Sequence, residues 1–305
     1  MVALAPATID RTLETVRPRP SATKSLLRSA RKKPLGTFAL LLICVVVFLA
    51  LFANLVTLHD PNRIYAGNSL VAHGTIAPDG RPFILGTDDT GRDEFSRVIF
   101  GARISLLVGI FSVVIGTFGG TIFGLVSGYY GGKLDFLLQR LFDCLQSIPT
   151  LILALLIVAV LGRSLINVIV VIGVVQIPYA NRVVRSAVLS ARNHTYIDAA
   201  RVSGCSDFRI ITRYVAVNVM APVIIIATAS LGSAIIAEAF LDFLGMGTPP
   251  PTPSWGAMLS EAQPNMIANP QLLLAPGIAL SLTVLGWNLA GDALRDILDP
   301  RLRRG

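Results

Sequence analysis

Six stretches of this chain, at residues 36–56, 104–127, 136–161, 165–182, 219–241 and 272–291, are apolar over about the twenty residues that a helix needs to cross a hydrocarbon core. This pattern constrains the fold more than any other feature. Inside a bilayer every backbone N–H and C=O must find its partner within the protein, and a helix supplies those partners within the segment itself. Charged residues make up only 14% of the chain against 53% hydrophobic. A mean hydropathy of +0.68 belongs to a membrane chain. The expected fold class is an all-α polytopic membrane protein with about six transmembrane helices.

Basic residues then order the loops. The N-terminal tail, residues 1–35, carries Arg11, Arg17, Arg19, Lys24, Arg28, Arg31, Lys32 and Lys33. The loop at 183–217 carries Arg185, Arg192, Arg201, Arg209 and Arg213, whereas 242–271 contains neither Lys nor Arg. By the positive-inside rule the tail, the 183–217 loop and both termini are cytoplasmic, in a bacterial-type cell membrane, and 242–271 lies outside. The loop at 57–102 is less clean, holding Arg63, Arg81, Arg92 and Arg97 against a larger number of Asp and Glu. Alternation still places it outside. The formal charge of +8 invites a nucleic-acid reading, but the cations sit at the ends of apolar runs, where they orient the chain and meet anionic lipid. The first run is longer than a signal-peptide core and follows a basic tail, so a retained anchor is expected. Cys44, Cys144 and Cys205 are not spaced for a metal site or an extracellular disulfide.

Within the spans, Gly116, Gly120, Gly124 and Gly128 recur every fourth residue and form one stripe. Such a stripe lets a neighbouring backbone approach closely, and packing within the chain is the expected use. Asp135, Gln139, Asp143 and Gln146 share nearly one face of the third span, which predicts a cytoplasmic mouth or a subunit contact, with Arg140 available to Asp143. Pro149 and Pro178 can kink their helices. The fifth span is small and weakly polar around Ser230 and Ser233, with Glu238 and Asp242 at its outer end. These four are the candidates for a translocation path. The acidic pair either attracts cations and amino groups to a vestibule or satisfies local partners.

The 183–217 loop contains Asp198-Ala199-Ala200-Arg201-Val202-Ser203-Gly204, followed by Asp207. Two alanines suit close docking of a helix on a partner, and Gly204 suits a turn with positive φ. Asp207, Phe208, Ile210, Ile211 and Tyr214 suit a second short helix. The pattern resembles the EAA loop of ABC importer permeases, with Asp198 in place of glutamate and Ala216-Val217 in place of a closing Leu-Pro. The resemblance extends over 35–303. Leu85-Gly86-Thr87-Asp88-Asp89-Thr90-Gly91-Arg92-Asp93, Gly101-Ala102-Arg103, Tyr129-Tyr130-Gly131-Gly132, Pro253-Ser254-Trp255-Gly256 and Asp299-Pro300-Arg301 follow in order. Together they resemble the shorter C-type subunit of the dipeptide/oligopeptide/nickel permeases.

That resemblance implies a type I ABC importer permease fold over 36–303 and a division of labour. A homologous second permease would complete the pathway. Two cytoplasmic ATPase subunits holding ATP and Mg would dock on Asp198, Ala199, Ala200, Gly204 and Asp207, and an extracytoplasmic binding protein would deliver substrate. The sequence itself holds no ATPase site, since Gly131-Gly132-Lys133 is followed by Leu134 and lacks the earlier glycine of a phosphate-binding loop. No nucleophile–base pair or metal cluster suggests an enzyme. A secondary transporter would need midplane ionisable residues and internal repeats, which are not evident. Short peptides are the expected cargo, with nickel chelates, glutathione or other small solutes as alternatives.

Overall fold

The computed structural model describes residues 34–298; the rest of the basic tail and Asp299-Pro300-Arg301 lie outside the described residues. Helix α1 (Pro34–Leu51) and the single turn α2 (Ala53–Val56) lead into an ordered segment, 57–93. The long α3 (Glu94–Tyr130) follows, then α4 (Gly132–Gln146), α5 (Thr150–Leu161) and α6 (Leu165–Ala191). A short α7 (Thr195–Val202) precedes α8 (Asp207–Arg209), which runs through the π-helical residues Ile210–Val215 into α9 (Ala216–Phe243). The chain closes with α10 (Trp255–Ala262) and α11 (Gln271–Leu298). Among the described residues there are two isolated β-bridges, Ile76–Pro82 and Thr87–Asp93, and no strand.

The bundle is organised by α3 against α6. A Cβ added at Gly116 would lie 2.9 Å from the Gly173 carbonyl, one at Gly120 2.8 Å from the Asn181 amide, one at Gly124 2.8 Å from Val184 and one at Gly128 2.8 Å from Val188. Real side-chain carbons do not come that close, so glycine is what admits the second helix. The contacts advance together by about four residues on each helix, so α3 and α6 run parallel. Two parallel helices close in sequence require a crossing back between them. Of the described residues only α4 and α5 can provide it, and this pair bends by 87°. Among the described residues five helices are long and apolar enough to cross a membrane, and the bent pair, taken as one span, would make six.

The break corrects the single helix expected at 136–161. Pro149 has no N–H to donate and pushes Ile148 away from helical backbone angles, so the chain turns at 147–149 instead of kinking. Other boundaries also move. Asp93 caps α3 by accepting the Ser96 N–H at 2.9 Å, so the outer segment ends at 93 rather than 102. Helix α6 passes through Pro178 and continues to Ala191, which shortens the 183–217 loop to 192–206. The second short helix expected after Gly204 is the root of the next span. No Gly or Pro intervenes between Asp207 and Pro222, and Ala216-Val217 lie inside a continuous helix.

Segment 57–93 has its own small core of Tyr65, Ala77 and fully buried Phe83. His59 Nδ1 and the Tyr65 hydroxyl are 2.9 Å apart, and that hydroxyl donates to Asp79 at 3.2 Å. Two of the four arginines that blur the sidedness of this loop, Arg92 and Arg97, are buried in internal pairs. Arg92 pairs with Asp88 at 2.6 Å and with Glu261 at 2.9 Å, and Arg97 reaches Glu261 at 3.1 Å, which joins the segment and α3 to α10. Nearby, the Trp255 indole N–H donates to the Val98 carbonyl at 2.9 Å and its ring lies directly over Gly101.

The seam yields a test. Overpacking typically costs about 1–3 kcal/mol, and more where backbone lines the contact. Gly120→Leu is expected to lower the melting temperature of the purified protein by several degrees. Phe118→Leu, at a position 69% exposed on another face of α3, is expected to change it little. Thermal unfolding in detergent compares the two; equal shifts would remove the seam from its structural role.

Candidate functional site

Two features face outward from this frame: the short helix α7 at one end and a cavity at the bend between α4 and α5. The backbone defines α7 sharply. It ends where Gly204, at φ +77°, takes the left-handed conformation. The Gly204 N–H bonds the Arg201 carbonyl at 3.0 Å and the Cys205 N–H bonds the Ala200 carbonyl at 3.1 Å, a Schellman closure. Only glycine adopts this φ without a cost of about 1–2 kcal/mol.

The faces of α7 differ from what the motif suggested. Ala200 and Ile197 point into the protein, in a core with Val184, Val188, Ile210, Val215 and Tyr129. Ala200 is therefore an anchor within this chain, because the i,i+3 pair Ile197–Ala200 is the helix's apolar face. Asp198, Ala199, Ser203 and Gly204 face out, and so does Val202, 90% exposed. Phe208, 76% exposed, stands beside them in sequence. The exposed Asp198–Arg201 pair at 3.2 Å is a weak surface contact. Asp207 is exposed as well, and its carboxylate accepts the Tyr129 hydroxyl at 2.7 Å. Arg192 donates to the Gly128 carbonyl at 2.8 Å, covering the last turn of α3. The sequence pattern assigns no site role to Tyr129, Arg192, Val202 or Phe208. The Tyr129–Asp207 contact spans 78 positions and leaves no local signal, whereas Val202 and Phe208 were legible as apolar residues in a polar loop.

The cavity encloses about 720 Å³. Gln146, Thr150 and Ala154 come from the bend, Gln176 and Tyr179 from α6, and Ser230 and Ser233 from α9. Its lining carries no carboxylate and no Lys or Arg among the described residues. The bend makes this space, since α4 and α5 diverge where a straight helix would have filled it.

The remaining candidates do not line it. Glu238 is fully buried, accepting the Ser105 hydroxyl at 2.9 Å, and Asp242 accepts the Thr248 N–H at 2.7 Å. A Cβ on Gly247 would overlap the Asp242 carboxylate. Of the two readings open for this pair, the geometry fits local partners and not a vestibule: both carboxyls lie in the seam between α9, α3 and the 244–254 loop, turned from the cavity by helix phase. The polar stripe of the third span is turned toward α6, with Asp135 and Gln139 half-buried and Asp143 and Gln146 exposed. Asp135 takes two hydrogen bonds from Arg185 at 2.6 Å each, Asn181 donates to Gln139 at 3.1 Å, and Asp143 pairs with Arg182 at 2.6 Å, not with Arg140. Of that stripe, Gln146 reaches the cavity. The four glycines sit in the α3–α6 seam, away from it. Among the described residues, no group of three His, Cys, Asp or Glu could hold a metal ion.

Comparison with known proteins places this geometry. Residues 120–304 match the family model described as binding-protein-dependent transport system inner membrane component. The chain is 39% identical over 283 residues to a dipeptide transport system permease protein of Alkalihalophilus pseudofirmus, covering 93% of this chain and 91% of that one. It is 40% identical over 284 residues to a di/tripeptide transport system permease protein of Pseudomonas aeruginosa, covering 93% and 94%. A glutathione transport system permease protein of Pectobacterium atrosepticum is 37% identical over 303 residues, covering 99% and 97%. With up to six crossings, a short helix closed by Gly204 and a family match that spans most of the bundle, the chain belongs to the inner-membrane permease components of binding-protein-dependent ABC transport systems.

Proposed function

We propose that this permease forms one half of the pathway through which an ATP-driven importer takes up short peptides. The observation that carries the reading is the neutral cavity bounded by α6 and α9, the two helices that flank α7 in the chain. A lining of amides and hydroxyls beside apolar walls offers hydrogen bonds to peptide groups without selecting one charge. Relatives named for dipeptides, tripeptides and glutathione, itself a tripeptide, support that cargo class. Charge placement supports an α7 end in the cytoplasm and the 57–93 segment outside.

In this scheme Ala199, Val202 and Phe208 are the outward surface that two ATPase subunits would grip, one on each permease. A homologous second permease closes the cavity from its open side, and a binding protein delivers substrate to the end formed by 57–93 and α10. ATP and Mg belong to the ATPase subunits. Movement there would reach the cavity because the continuous helix Asp207–Phe243, formed by α8, the π-helical turn and α9, begins directly after the loop and carries Ser230 and Ser233.

Two measurements test the scheme. In the reconstituted complex, Val202→Asp places a charge on the exposed apolar knob without touching the core. It is expected to lower ATPase-subunit retention by about tenfold, in line with truncation of an interface anchor. Full retention would remove this face from the contact. In a background lacking Cys44, Cys144 and Cys205, single cysteines at Ala72 and Ser190 are expected to label from opposite sides of the membrane. Ala72→Cys reacts with an impermeant reagent in intact spheroplasts and Ser190→Cys only after permeabilisation; labelling of both from one side would overturn the orientation. For cargo, dipeptide uptake that survives competition by excess glutathione separates the two substrate readings.

A further inference from the structure

Beyond the docking face, we propose that Tyr129 is a positioning residue, tying α7 and the root of α9 to the end of α3 so that a push on the loop reaches the transmembrane helices. The inference rests on the reading of α7 as the ATPase-docking helix.

Tyr129 is the next-to-last residue of α3, the helix held along its length by the glycine seam. Its ring is 7% exposed and packs in the same core as Ile197, Ala200, Ile210 and Val215. It is the buried residue of α3 in the core under the loop, with Leu125 packed beside that core one turn earlier. Its hydroxyl donates to Asp207 at 2.7 Å, at the first residue of the continuous helix carrying Ser230 and Ser233. The Arg201 guanidinium of α7 stands 5.6 Å from the ring centroid. One side chain therefore meets three elements. Arg192 holds the backbone beneath it through the Gly128 carbonyl at 2.8 Å, which keeps the last turn of α3 from fraying.

The apolar contacts in this core resist separation but not sliding, because burial is non-directional. A hydrogen bond to a carboxylate is short, directional and roughly twice as strong as a neutral one. It is the contact under the loop that fixes where Asp207 sits relative to α3. Loss of the hydroxyl leaves α7 folded by Gly204 and anchored by Ile197 and Ala200, so docking persists. What is lost is the fixed relation between loop and helices, and ATP hydrolysis then proceeds with less transport.

The test uses the complete importer in proteoliposomes: both permeases, the ATPase subunits and the binding protein, with a dipeptide as the probe. Tyr129→Phe removes only the hydroxyl. The expected result is normal retention of the ATPase subunits, unchanged basal ATP hydrolysis and a fall of about fivefold or more in peptide transported per ATP. Asp207→Asn keeps an acceptor and is expected to retain most of the coupling. Asp207→Ala is expected to match Tyr129→Phe, and the double variant to be no worse than either, as for two partners in one interaction. Wild-type transport per ATP in Tyr129→Phe would overturn the proposal. So would a loss of transport that only follows a loss of assembled complex, since that marks a structural role. The docking reading is checked apart, by Ala199→Trp. If that variant keeps its ATPase subunits and its coupling, docking through α7 fails whatever Tyr129 does. If it loses them while Tyr129→Phe stays coupled, only the positioning role fails.

Discussion

The close approach of α3 and α6 is the contact on which the rest of the bundle depends. Four glycines bring the two backbones together over the second half of α3. Association inside a membrane gains little from the hydrophobic effect, because lipid tails are as apolar as leucine. The gain comes from many atom pairs at van der Waals distance, each about 0.1–0.2 kcal/mol, and glycine raises their number by letting main chain touch main chain. Polar contacts then set the phase of the pair. Ser112 donates to the Ile169 carbonyl at 2.9 Å near one end, and Arg192 donates to the Gly128 carbonyl at the other. Sliding by one residue would lose both hydrogen bonds and drive glycine positions onto side chains.

A parallel pair has a topological consequence. The chain must return between α3 and α6, and it does so through α4 and α5, bent by 87° where Pro149 forbids a continuous helix. On one side of the bend, α4 is fastened to α6 by Asp135–Arg185 and Asp143–Arg182. On the other, α5 packs through Ala154 and Val158 with Val108, Val168 and Val171. Both arms are held by the seam helices, so the bend cannot straighten without breaking one set. The cavity is the space left between the arms, and its neutral lining follows from this division. The two carboxylates of α4, Asp135 and Asp143, pair with arginines of α6, and Leu145 and Gln146, past the last of them, reach the opening.

Much of this was legible in the sequence. Spans were readable because apolar length is a direct requirement of the bilayer. The glycine stripe was readable because a period of four has few other uses, and Gly204 because the turn after the motif has few other solutions. Ser230 and Ser233 were found as small polar residues in an apolar helix. What escaped depended on phase and on distant partners. Glu238 sits on the same helix as Ser230 and Ser233, but its direction depends on where Ser105 lies, 133 positions away. Ala200 looked like a docking residue because alanine suits close approach equally to a partner or to the protein's own core. Ile197, one helical turn earlier, marks the inward face. Pro149 was visible, but the difference between a kink and a right-angle break depends on what holds each arm, and that information sits in Asp135, Arg185, Asp143 and Arg182.

The two ends of the seam are built differently, and this bears on how the bundle transmits movement. At the 57–93 end, α3 is held by charge pairs among Asp88, Arg92, Arg97 and Glu261, and by Trp255 over Gly101. Arg97 is 1% exposed there, and breaking a buried pair of this kind typically costs about 3–5 kcal/mol. That end resists change. At the α7 end, the contacts are a tyrosine hydroxyl on one carboxylate, an arginine on carbonyls and an apolar core around a helix of 8 residues. Each of these contacts is worth less and re-forms more readily. A long helix clamped at one end and adjustable at the other pivots rather than slides, while the glycine seam obliges α6 to follow α3. In the proposed scheme, motion applied at the loop would pass through Asp207, held by the Tyr129 hydroxyl, to the cavity wall on α9.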